Sequence, residues 1–415
     1  MNRILLYVFV ILSLFLSCDK SKKKVKDTVI HEKRIENLIN FFNENAYQET
    51  EKTYYSDVDN EGNVVSDKVF NVALSRLIYG LSYANLVDVS YLAKAEKAAD
   101  FQMEKLIIKD SLNTYFASFY DLKTNMADSL KNLDIWQQAY GLCGLSELYR
   151  NSPNKDLLDK IHELHDSFVN TFHDSIKGGF YGNYANNAQI KGSKTLQALI
   201  YPITAYMENL WSIDVENKSK YEPYLKENIQ IAFDKGWNKE LGWVNIKFDD
   251  NWNPCQHFSP DSICFNVTPG HNFQYASLFL RAKSWEFLSK KEQLKFQNFG
   301  IDILKTTLDK SIFPEKDLSQ GFYSEVNPIN NEVTDKRKTW WQHCEALIAL
   351  SLADETFKIK AKNLENFYFN TFPDKENGGE YFYVNELNIP ETDELKGSIG
   401  KSTYHTIEMI KFLNK

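Results

Sequence analysis

Two histidines stand out as residues that could transfer protons. His271 follows Pro269-Gly270, and His405 follows Tyr404. Imidazole titrates near neutral pH, so either ring could accept and return a proton during catalysis. Residue type alone leaves other roles open, since His271 could cap a helix and His405 could be a buried core residue. Nearby polar and aromatic candidates for a site are Trp340, Trp341, Glu345 and Glu380.

The remaining histidines and cysteines form no recognisable metal motif. His162 and His165 share a helix face, but no third ligand accompanies them, which predicts a solvated surface. His343 could lie in the core, at the surface or near a cleft. The cysteines after residue 18 have no CxxC spacing, which favours core positions over zinc ligands; they are Cys143, Cys255, Cys264 and Cys344. We predict no metal and no cofactor. An oxidising compartment would permit a Cys255–Cys264 bridge, which spacing alone cannot establish.

The N-terminus has the pattern of an exported lipoprotein. A largely apolar run over residues 4–16 is shorter than the roughly 20 residues of a membrane-spanning helix, so residues 1–17 are predicted to be a secretory signal. Cys18 is the predicted lipidation site. Phe15 departs from the usual lipobox, and ordinary signal cleavage nearby is the alternative. The lysine-rich segment 18–30 is predicted to be a solvated tether. We therefore expect anchoring to the bacterial cell envelope, on the periplasmic side, with membrane contact through the lipid alone.

Residues 31–415 are predicted to form one catalytic domain. The chain has only 10 prolines and 17 glycines, and no linker-like or low-complexity segment follows residue 30. Its net charge of −8, with no basic face outside the tether, argues against nucleic acid as a partner.

A recurring aromatic turn indicates how this domain is organised. Six turns recur at intervals of about 60 to 80 residues, a length that holds a helix pair and its loops. Their positions are Tyr54-Tyr55, Tyr115-Phe116, Phe180-Tyr181, Trp243, Phe322-Tyr323 and Tyr381-Phe382. Apolar residues between the turns follow helical spacing, as in Trp341, Cys344 and Ile348. Six helix pairs can close a toroid, so the sequence predicts an all-α (α/α)6 barrel with short β-hairpins in its loops. The N-terminal ends of the inner helices would then face a central cleft.

Three motifs carry a resemblance to the N-acylglucosamine 2-epimerase family, which includes cellobiose and mannobiose 2-epimerases and related sugar isomerases. They are Thr268-Pro-Gly-His271 followed by Leu278-Phe-Leu-Arg281-Ala282, Lys338-Thr-Trp340-Trp341-Gln342 followed by Glu345-Ala-Leu, and Lys401 followed by Tyr404-His405. The motifs occur in the family's order and approximate spacing. The resemblance implies the (α/α)6 fold independently of the aromatic turns. It also implies a mono- or oligosaccharide substrate.

The resemblance further implies a mechanism. In that family two histidines flank C2 of the sugar and exchange protons through an enediolate, and matching the motifs places them at His271 and His405. Arg76 would stabilise the enediolate, although it could instead pair with a neighbouring acid. One tryptophan of the Trp340-Trp341 pair would stack on the sugar ring.

Two acidic residues have more than one interpretation. Glu345 and Glu380 could orient sugar hydroxyls or a catalytic imidazole, or they could close surface ion pairs. We place both among the candidate substrate-binding residues.

Departures from the family pattern fall close to the two histidines. Gln274 stands where the epimerases usually carry glutamate, three residues after the first histidine, and an amide orients an imidazole without stabilising its charge. Glu408 stands where many epimerases have arginine, three residues after the second histidine. Both are predicted to lie at the substrate site. An additional family histidine is missing around Lys194–Gln197.

The leading hypothesis is a sugar 2-epimerase or an aldose–ketose isomerase. Both reactions begin with proton abstraction at C2 and differ only in where the proton returns. One alternative is an α/α-toroid glycan hydrolase or lyase; hydrolysis requires two opposed carboxylates, for which Glu345 with Glu325 or Glu380 are the candidates. The other is a catalytically silent glycan-binding lipoprotein.

Overall fold

The computed structural model describes residues 31–111, 113–128, 132–185, 190–254 and 266–414. The predicted signal and tether, Cys18 and the Cys255–Cys264 pair lie outside these residues. Within the described ranges, no helix is both long enough and apolar enough to cross a membrane.

Helices alternate along the chain between an outer and an inner ring. The outer helices are α1 (residues 31–45), α3 (Ser90–Phe101), α5 (Lys155–Phe172), α8 (Glu222–Lys235), α10 (Lys290–Leu308) and α12 (Lys358–Thr371). The inner helices are α2 (Asn71–Ala84), α4 (Ile135–Asn151), α6 (Leu196–Tyr201) with α7 (Glu208–Ile213), α9 (Pro269–Arg281), α11 (Trp340–Leu352) and α13 (Tyr404–Leu413). A π-helical segment, Pro202–Met207, joins α6 to α7, and a second, Gln102–Leu106, follows α3. Short 3₁₀ turns occur at Val215–Lys220, Ala282–Ser284 and Glu355–Phe357.

The inner helices form a closed ring. Helix α2 contacts α4, α4 contacts α6, α6 contacts α9, α9 contacts α11, α11 contacts α13, and α13 returns to α2. Every residue of α2 is buried, whereas the outer helix α5 buries one stripe that includes Leu157, Ile161, Leu164 and Phe168. An inner helix needs apolar residues all round, and an outer helix needs only one apolar face. The predicted (α/α)6 barrel is confirmed.

Short antiparallel strands connect the helices. They are β1 (Tyr47–Gln48), β2 (Thr53–Tyr54), β3 (Lys68–Phe70), β4 (Ile107–Lys109), β5 (Thr114–Phe116), β6 (Phe119–Asp121), β7 (Met126–Ala127), β8 (Leu133–Asp134), β9 (Asn183–Ala185), β10 (Ile190–Lys191), β11 (Lys194–Thr195), β12 (Trp237–Asn238), β13 (Trp243–Val244), β14 (Lys247–Phe248), β15 (Glu325–Val326), β16 (Val333–Asp335), β17 (Lys338–Thr339), β18 (Tyr383–Val384) and β19 (Pro390–Glu391). The sheets pair β1–β2, β4–β5, β11–β14, β12–β13, β15–β16, β3–β6–β7, β8–β9–β10 and β17–β18–β19.

Inner helices begin directly after these strands. Strands β3, β8, β11 and β17 run into α2, α4, α6 and α11, and a bridge between Val267 and Val326 precedes α9. The aromatic turns enter hairpin strands at β2, β5 and β13. Phe180 forms a single bridge with His173, and Phe322-Tyr323 and Tyr381-Phe382 lie outside the strands. The predicted short β-hairpins are therefore present in the loops, but not at every aromatic turn.

Buried cysteines and histidines fill parts of the core. Cys143 and Cys344 are free and buried, as predicted. The prediction of a solvated face at His162 and His165 is wrong for His165, which is 1% exposed with Nδ1 3.1 Å from the Tyr206 hydroxyl. The reason is that α5 packs this face against the inner ring. Burial lowers the pKa of His165 to about 4.

Candidate functional site

Three inner helices bring the sequence motifs together at their N-terminal ends. His271 is the third residue of α9, Trp341 is the second residue of α11, and His405 is the second residue of α13. The Trp341 ring lies 5.4 Å from the His271 ring and 5.9 Å from the His405 ring, measured between centroids. Both imidazoles therefore pack on one indole.

A glycine allows α9 and α11 to approach closely at this point. A Cβ atom on Gly270 would lie 2.6 Å from Cγ of Gln342 and 2.9 Å from the Trp341 ring. The Gly270 N–H donates to Oε1 of Gln342 over 2.9 Å. Pro269, at the first helical position, has a φ already suited to the helix. The Pro-Gly pair thus fixes the start of α9 so that His271 reaches Trp341.

Arg76 fixes the segment that leads into α13. Its guanidinium donates to the Gly400 carbonyl over 2.6 Å, and Thr403 donates from its hydroxyl to the Arg76 carbonyl over 2.8 Å. The same guanidinium lies 3.9 Å over the Tyr140 ring. Arg76 is 3% exposed, and within the described chain its Nε has no hydrogen-bond partner. The alternative of an acidic partner is not what the described residues show; Arg76 carries its charge next to the helix that bears His405.

Glu345 holds the His405 imidazole. Nδ1 of His405 lies 2.9 Å from Oε1 of Glu345, and both side chains are buried. A carboxylate only accepts hydrogen bonds, so Nδ1 carries the proton and Nε2 of the neutral ring is the free base. Burial lowers the pKa of His405, the bond to Glu345 opposes this shift, and the charge of Arg76 adds to it. Glu345 therefore orients a catalytic candidate, one of the roles considered from the sequence.

His271 has no such support. Its Nδ1 is a buried atom without a hydrogen-bond partner among the residues described, and so is Oε1 of Gln274, one turn further along α9. Burial lowers the pKa of His271 to about 4, against a smaller opposing effect of Glu345. Among the described residues no hydrogen bond joins Gln274 to the imidazole of His271, so the expected orienting contact is not seen.

Glu380 is enclosed behind the site. Its carboxylate accepts from the Tyr368 hydroxyl at 2.9 Å and from the Thr406 hydroxyl at 2.6 Å. Burial raises the pKa of Glu380, and nearby Lys401 opposes the shift. The surface ion pair considered for Glu380 is thus excluded, and no contact with an imidazole is seen in the described part of the chain. It supports α13 from behind, next to His405.

The two tryptophans divide between core and cleft. Trp340 is 2% exposed, packs 4.6 Å from the Phe382 ring and has the Lys401 ammonium 4.4 Å above it. Trp341 is half-buried and lies between the two imidazoles. Trp341 is therefore the member of the pair that a sugar ring can reach.

Glu408 lies further into the barrel than predicted. It accepts from the Tyr79 hydroxyl and from a guanidinium nitrogen of Arg281, the latter at 3.2 Å. With Lys411 these residues line a cavity of about 450 Å³ at the C-terminal ends of the inner helices. Three residues advance α13 by about 4.5 Å along its axis, which carries Glu408 past the histidines. Glu408 was predicted to lie beside the substrate, but its observed contacts are with Tyr79 and Arg281, deeper in the barrel.

His343 is structural. Its Nδ1 lies 2.7 Å from the Thr339 carbonyl, and its Nε2 accepts from the Phe322 N–H over 3.1 Å. Burial lowers the pKa of His343 to about 3. Since both ring nitrogens are bonded, His343 anchors the start of α11, and of the possibilities raised from the sequence the core position is the one observed.

Two aromatic residues near the site were not predicted. Tyr201 of α6 is buried with its ring 5.4 Å from the Tyr140 ring, and Glu345 and Arg76 both act on it electrostatically. Trp136 of α4 lies 5.6 Å from the Arg76 guanidinium. Trp136 was visible in the sequence only as part of an apolar helical pattern, and no motif marked Tyr201. In the described residues, no group of three or more His, Cys, Asp or Glu side chains could hold a metal ion.

Comparisons with known proteins agree with this architecture. A cellobiose 2-epimerase from Dictyoglomus turgidum (strain DSM 6724 / Z-1310) is 22% identical over 361 residues, which cover 82% of this chain and 86% of that protein. The crystal structure of a sugar epimerase from a ruminal bacterium superposes with a TM-score of 0.80 at 18% identity, covering 94% of this chain and 98% of that one. A D-mannose isomerase structure gives a TM-score of 0.75 at 17% identity, with coverages of 93% and 97%. These likenesses show a common fold.

The family itself follows from a match over most of the chain. The model of the family described as N-acylglucosamine 2-epimerase (GlcNAc 2-epimerase) matches residues 53–409, which include α2 and every residue of the site described above. The chain belongs to the N-acylglucosamine 2-epimerase family.

Proposed function

We propose that the protein is a sugar 2-epimerase or aldose–ketose isomerase that removes the proton on C2 of an aldose, with His405 as the base. The observation that carries this proposal is the 2.9 Å bond from His405 to Glu345. It leaves Nε2 of a neutral imidazole free to accept a proton, beside an indole on which a sugar ring can stack. The relatives named as epimerase and mannose isomerase act on sugars by their descriptions, which supports the same substrate class here.

The geometry suggests how the first step proceeds. The open-chain sugar lies on Trp341 between the two imidazoles, and Nε2 of His405 takes the proton from C2. The electrons of the C–H bond form the enediolate, and its negative charge develops near the buried guanidinium of Arg76. The imidazolium that forms on His405 is stabilised by its charge-assisted bond to Glu345. His271, whose ring also packs against the Trp341 indole, completes the pair.

The arrangement gives less support to glycan cleavage. Hydrolysis requires two carboxylates facing each other across the scissile bond. Glu345 is bonded to His405, Glu380 is bonded to Tyr368 and Thr406, and Glu325 is exposed on β15. The carboxylates that the sequence offered for a hydrolase therefore do not converge.

The experiment that tests the proposal is proton exchange in heavy water. The protein is incubated in D₂O with D-glucose, D-mannose, N-acetyl-D-glucosamine and cellobiose, and NMR follows loss of the C2 proton. We expect deuterium at C2 of at least one sugar, and none with the His405→Asn variant. His162→Asn, a histidine on the outer helix α5, is the matched control and should exchange normally. Absence of exchange in the wild-type protein across the panel would refute the proposal.

Lipid attachment is a separate proposal, which rests on the sequence alone. We propose that Cys18 carries a lipid that anchors the protein to the cell envelope. Metabolic labelling with palmitate should be lost in a Cys18→Ala variant, and the protein should become soluble. Labelling that is unchanged by this substitution would contradict the assignment.

A further inference from the structure

We propose that the cavity at the C-terminal ends of the inner helices, here called the rear cavity, is a second carbohydrate-binding site that takes a neutral sugar of one or two rings. Its volume of about 450 Å³ lies within the range of about 300–1,000 Å³ that is usual for small-molecule sites. The site is separate from the catalytic candidates, and it stands whether or not they carry out the proposed reaction. The lining residues that matter here are Glu208, Trp211, Arg281, Ser284, Ser351 and Glu408.

The rear cavity lies at the opposite end of the inner helices from the two histidines. Arg281 is the last residue of α9, ten residues after His271, and an α-helix advances about 15 Å over that length. Ser351 lies in the last turn of α11, which carries Trp341 at its other end, and Lys411 lies in the last turn of α13. A sugar in the rear cavity would therefore lie away from the Trp341 indole and the imidazoles.

Arg281 provides a buried donor on the cavity wall. The residue is 7% exposed, and its two terminal nitrogens donate to Glu208 over 2.9 Å and to Glu408 over 3.2 Å. Its Nε has no hydrogen-bond partner within the described residues. Because a buried donor without an acceptor is unfavourable, a ligand oxygen that accepts from Nε would stabilise this side chain.

Acceptors line the same cavity. The hydroxyls of Ser284 and Ser351 each donate over 2.8 Å to the carbonyl three residues earlier in the chain. A hydroxyl that donates its proton keeps its lone pairs, so both oxygens remain acceptors, as do the carboxylates of Glu208 and Glu408. A sugar hydroxyl both donates and accepts. Acceptors beside the donor on Arg281 therefore match a ligand that carries several hydroxyls.

The charges of the wall favour a neutral ligand over an anion. Arg281 is bonded to Glu208 and Glu408, and Lys411 lies 2.9 Å from another buried carboxylate oxygen. These two cations are thus already neutralised. Lys283 is exposed, where a single charge contributes little to binding. An anion would meet the two carboxylates of the wall without gaining a free buried cation.

Two aromatic side chains add apolar surface to the wall. The Trp211 indole N–H donates to Glu222 over 3.0 Å, and the Arg281 guanidinium lies 4.4 Å over the Phe412 ring, so both rings are held in place. A sugar has apolar C–H faces that pack well against fixed aromatic side chains. Aromatic surface beside mixed donors and acceptors indicates a carbohydrate rather than a purely apolar ligand.

Binding stoichiometry tests the second site. The full chain is dialysed to equilibrium against radiolabelled D-glucose, D-mannose, N-acetyl-D-glucosamine or cellobiose, and the label counts every isomer of the sugar. We expect two molecules of at least one sugar per chain, one in the cleft at Trp341 and one in the rear cavity. Ser284→Trp places an indole at the exposed rim of the cavity and should remove one molecule. Ser90→Trp, at the start of α3 and outside the cavity, is the matched control and should retain both.

The outcomes separate this inference from the proposed function. A single molecule per chain that is lost in Trp341→Ala would overturn the second site and leave the proposed function intact. Two molecules bound to a folded Ser284→Trp protein would place the second sugar elsewhere, and no binding of any sugar would also overturn the inference. Two molecules bound without C2 exchange would refute the proposed function and leave the second site standing.

A conservative substitution tests the role of Arg281. Arg281→Lys keeps the positive charge between Glu208 and Glu408 but loses the planar fork of donors. We expect the second molecule to bind about tenfold more weakly, the effect of losing one hydrogen bond to a charged group, with circular dichroism to verify folding. Unchanged affinity would contradict the role of the guanidinium. Tighter binding of D-glucuronate than of D-glucose, lost in Ser284→Trp, would overturn the assignment to a neutral sugar.

Discussion

His405 and His271 occupy similar places in the barrel but have different surroundings. Each lies in the first turn of an inner helix, and each packs against Trp341. His405 has a carboxylate 2.9 Å from Nδ1, while Nδ1 of His271 has no partner in the described part of the protein. The repeated helix pairs therefore place the two imidazoles in similar positions. A single hydrogen bond, from His405 to Glu345, determines which of the two rings is stabilised when it holds a proton.

Loss of the supported imidazole should have the largest effect. Since a positioned acid–base group contributes about 10²–10⁴-fold, His405→Asn should lower C2 exchange by at least ~100-fold. His271→Asn should slow C2 exchange less, because among the described residues no carboxylate is bonded to the His271 ring. Initial exchange rates measured by NMR, with circular dichroism to verify folding, provide the comparison. Equal losses in the two variants would remove the asymmetry.

Loss of the carboxylate that holds His405 should come next. Glu345→Gln should lower the rate by about 10–100-fold, the range expected when a group that orients and charges an imidazole is neutralised. Because Glu345 raises the pKa of His405 against burial, its removal lowers that pKa further. The base then stays unprotonated at lower pH, so the acid limb of the pH–rate profile should move to lower pH. A limb that moves to higher pH would contradict the assigned roles.

Disturbing the position of His271 alone should have a moderate effect. Gly270→Ala puts a methyl group 2.6 Å from Gln342 and forces α9 away from α11. Overpacking of this kind costs about 1–3 kcal/mol, and it should move His271 off Trp341 while leaving the bond from His405 to Glu345. Denaturant unfolding and exchange rates, compared with Ala282→Gly at the other end of α9, would check this. Unchanged activity would mean that His271 does not need its contact with the indole.

The smallest expected change concerns the pH dependence of His271. Gln274→Glu should raise the pKa of His271 from about 4, since the added carboxylate favours the imidazolium. His271 would then stay protonated to higher pH. The alkaline limit of epimer formation should therefore move to higher pH. The wild-type and variant profiles for epimer formation, measured with the same sugar, test the direction. A shift to lower pH would indicate that the new carboxylate does not reach the imidazole.

The fold could be predicted from the sequence, and so could the nearness of His271 and His405, which both contact Trp341. The contacts between helices could not. The aromatic turns and the family motifs predict the ring because they are local patterns repeated along the chain. Which acid supports which imidazole is decided across the ring, where α11 meets α13, and Glu345 and Glu380 are equivalent candidates until that packing is known. Glu408 shows the same limit: its spacing from His405 was clear, but the direction of its side chain into the barrel was not.

Closure of the ring has a consequence for how the protein folds. Arg76 bonds the carbonyl of Gly400, and Tyr79 bonds Glu408, contacts that join chain segments more than 300 residues apart. Such distant contacts are costly to form early, because a long loop must first be closed. Until α13 has docked, α2 and α11 lack their shared neighbour, and Glu345 has no imidazole to bind. A folding intermediate without α13 in place would therefore expose the apolar flanks of two inner helices, and exposed apolar surface of this kind favours aggregation.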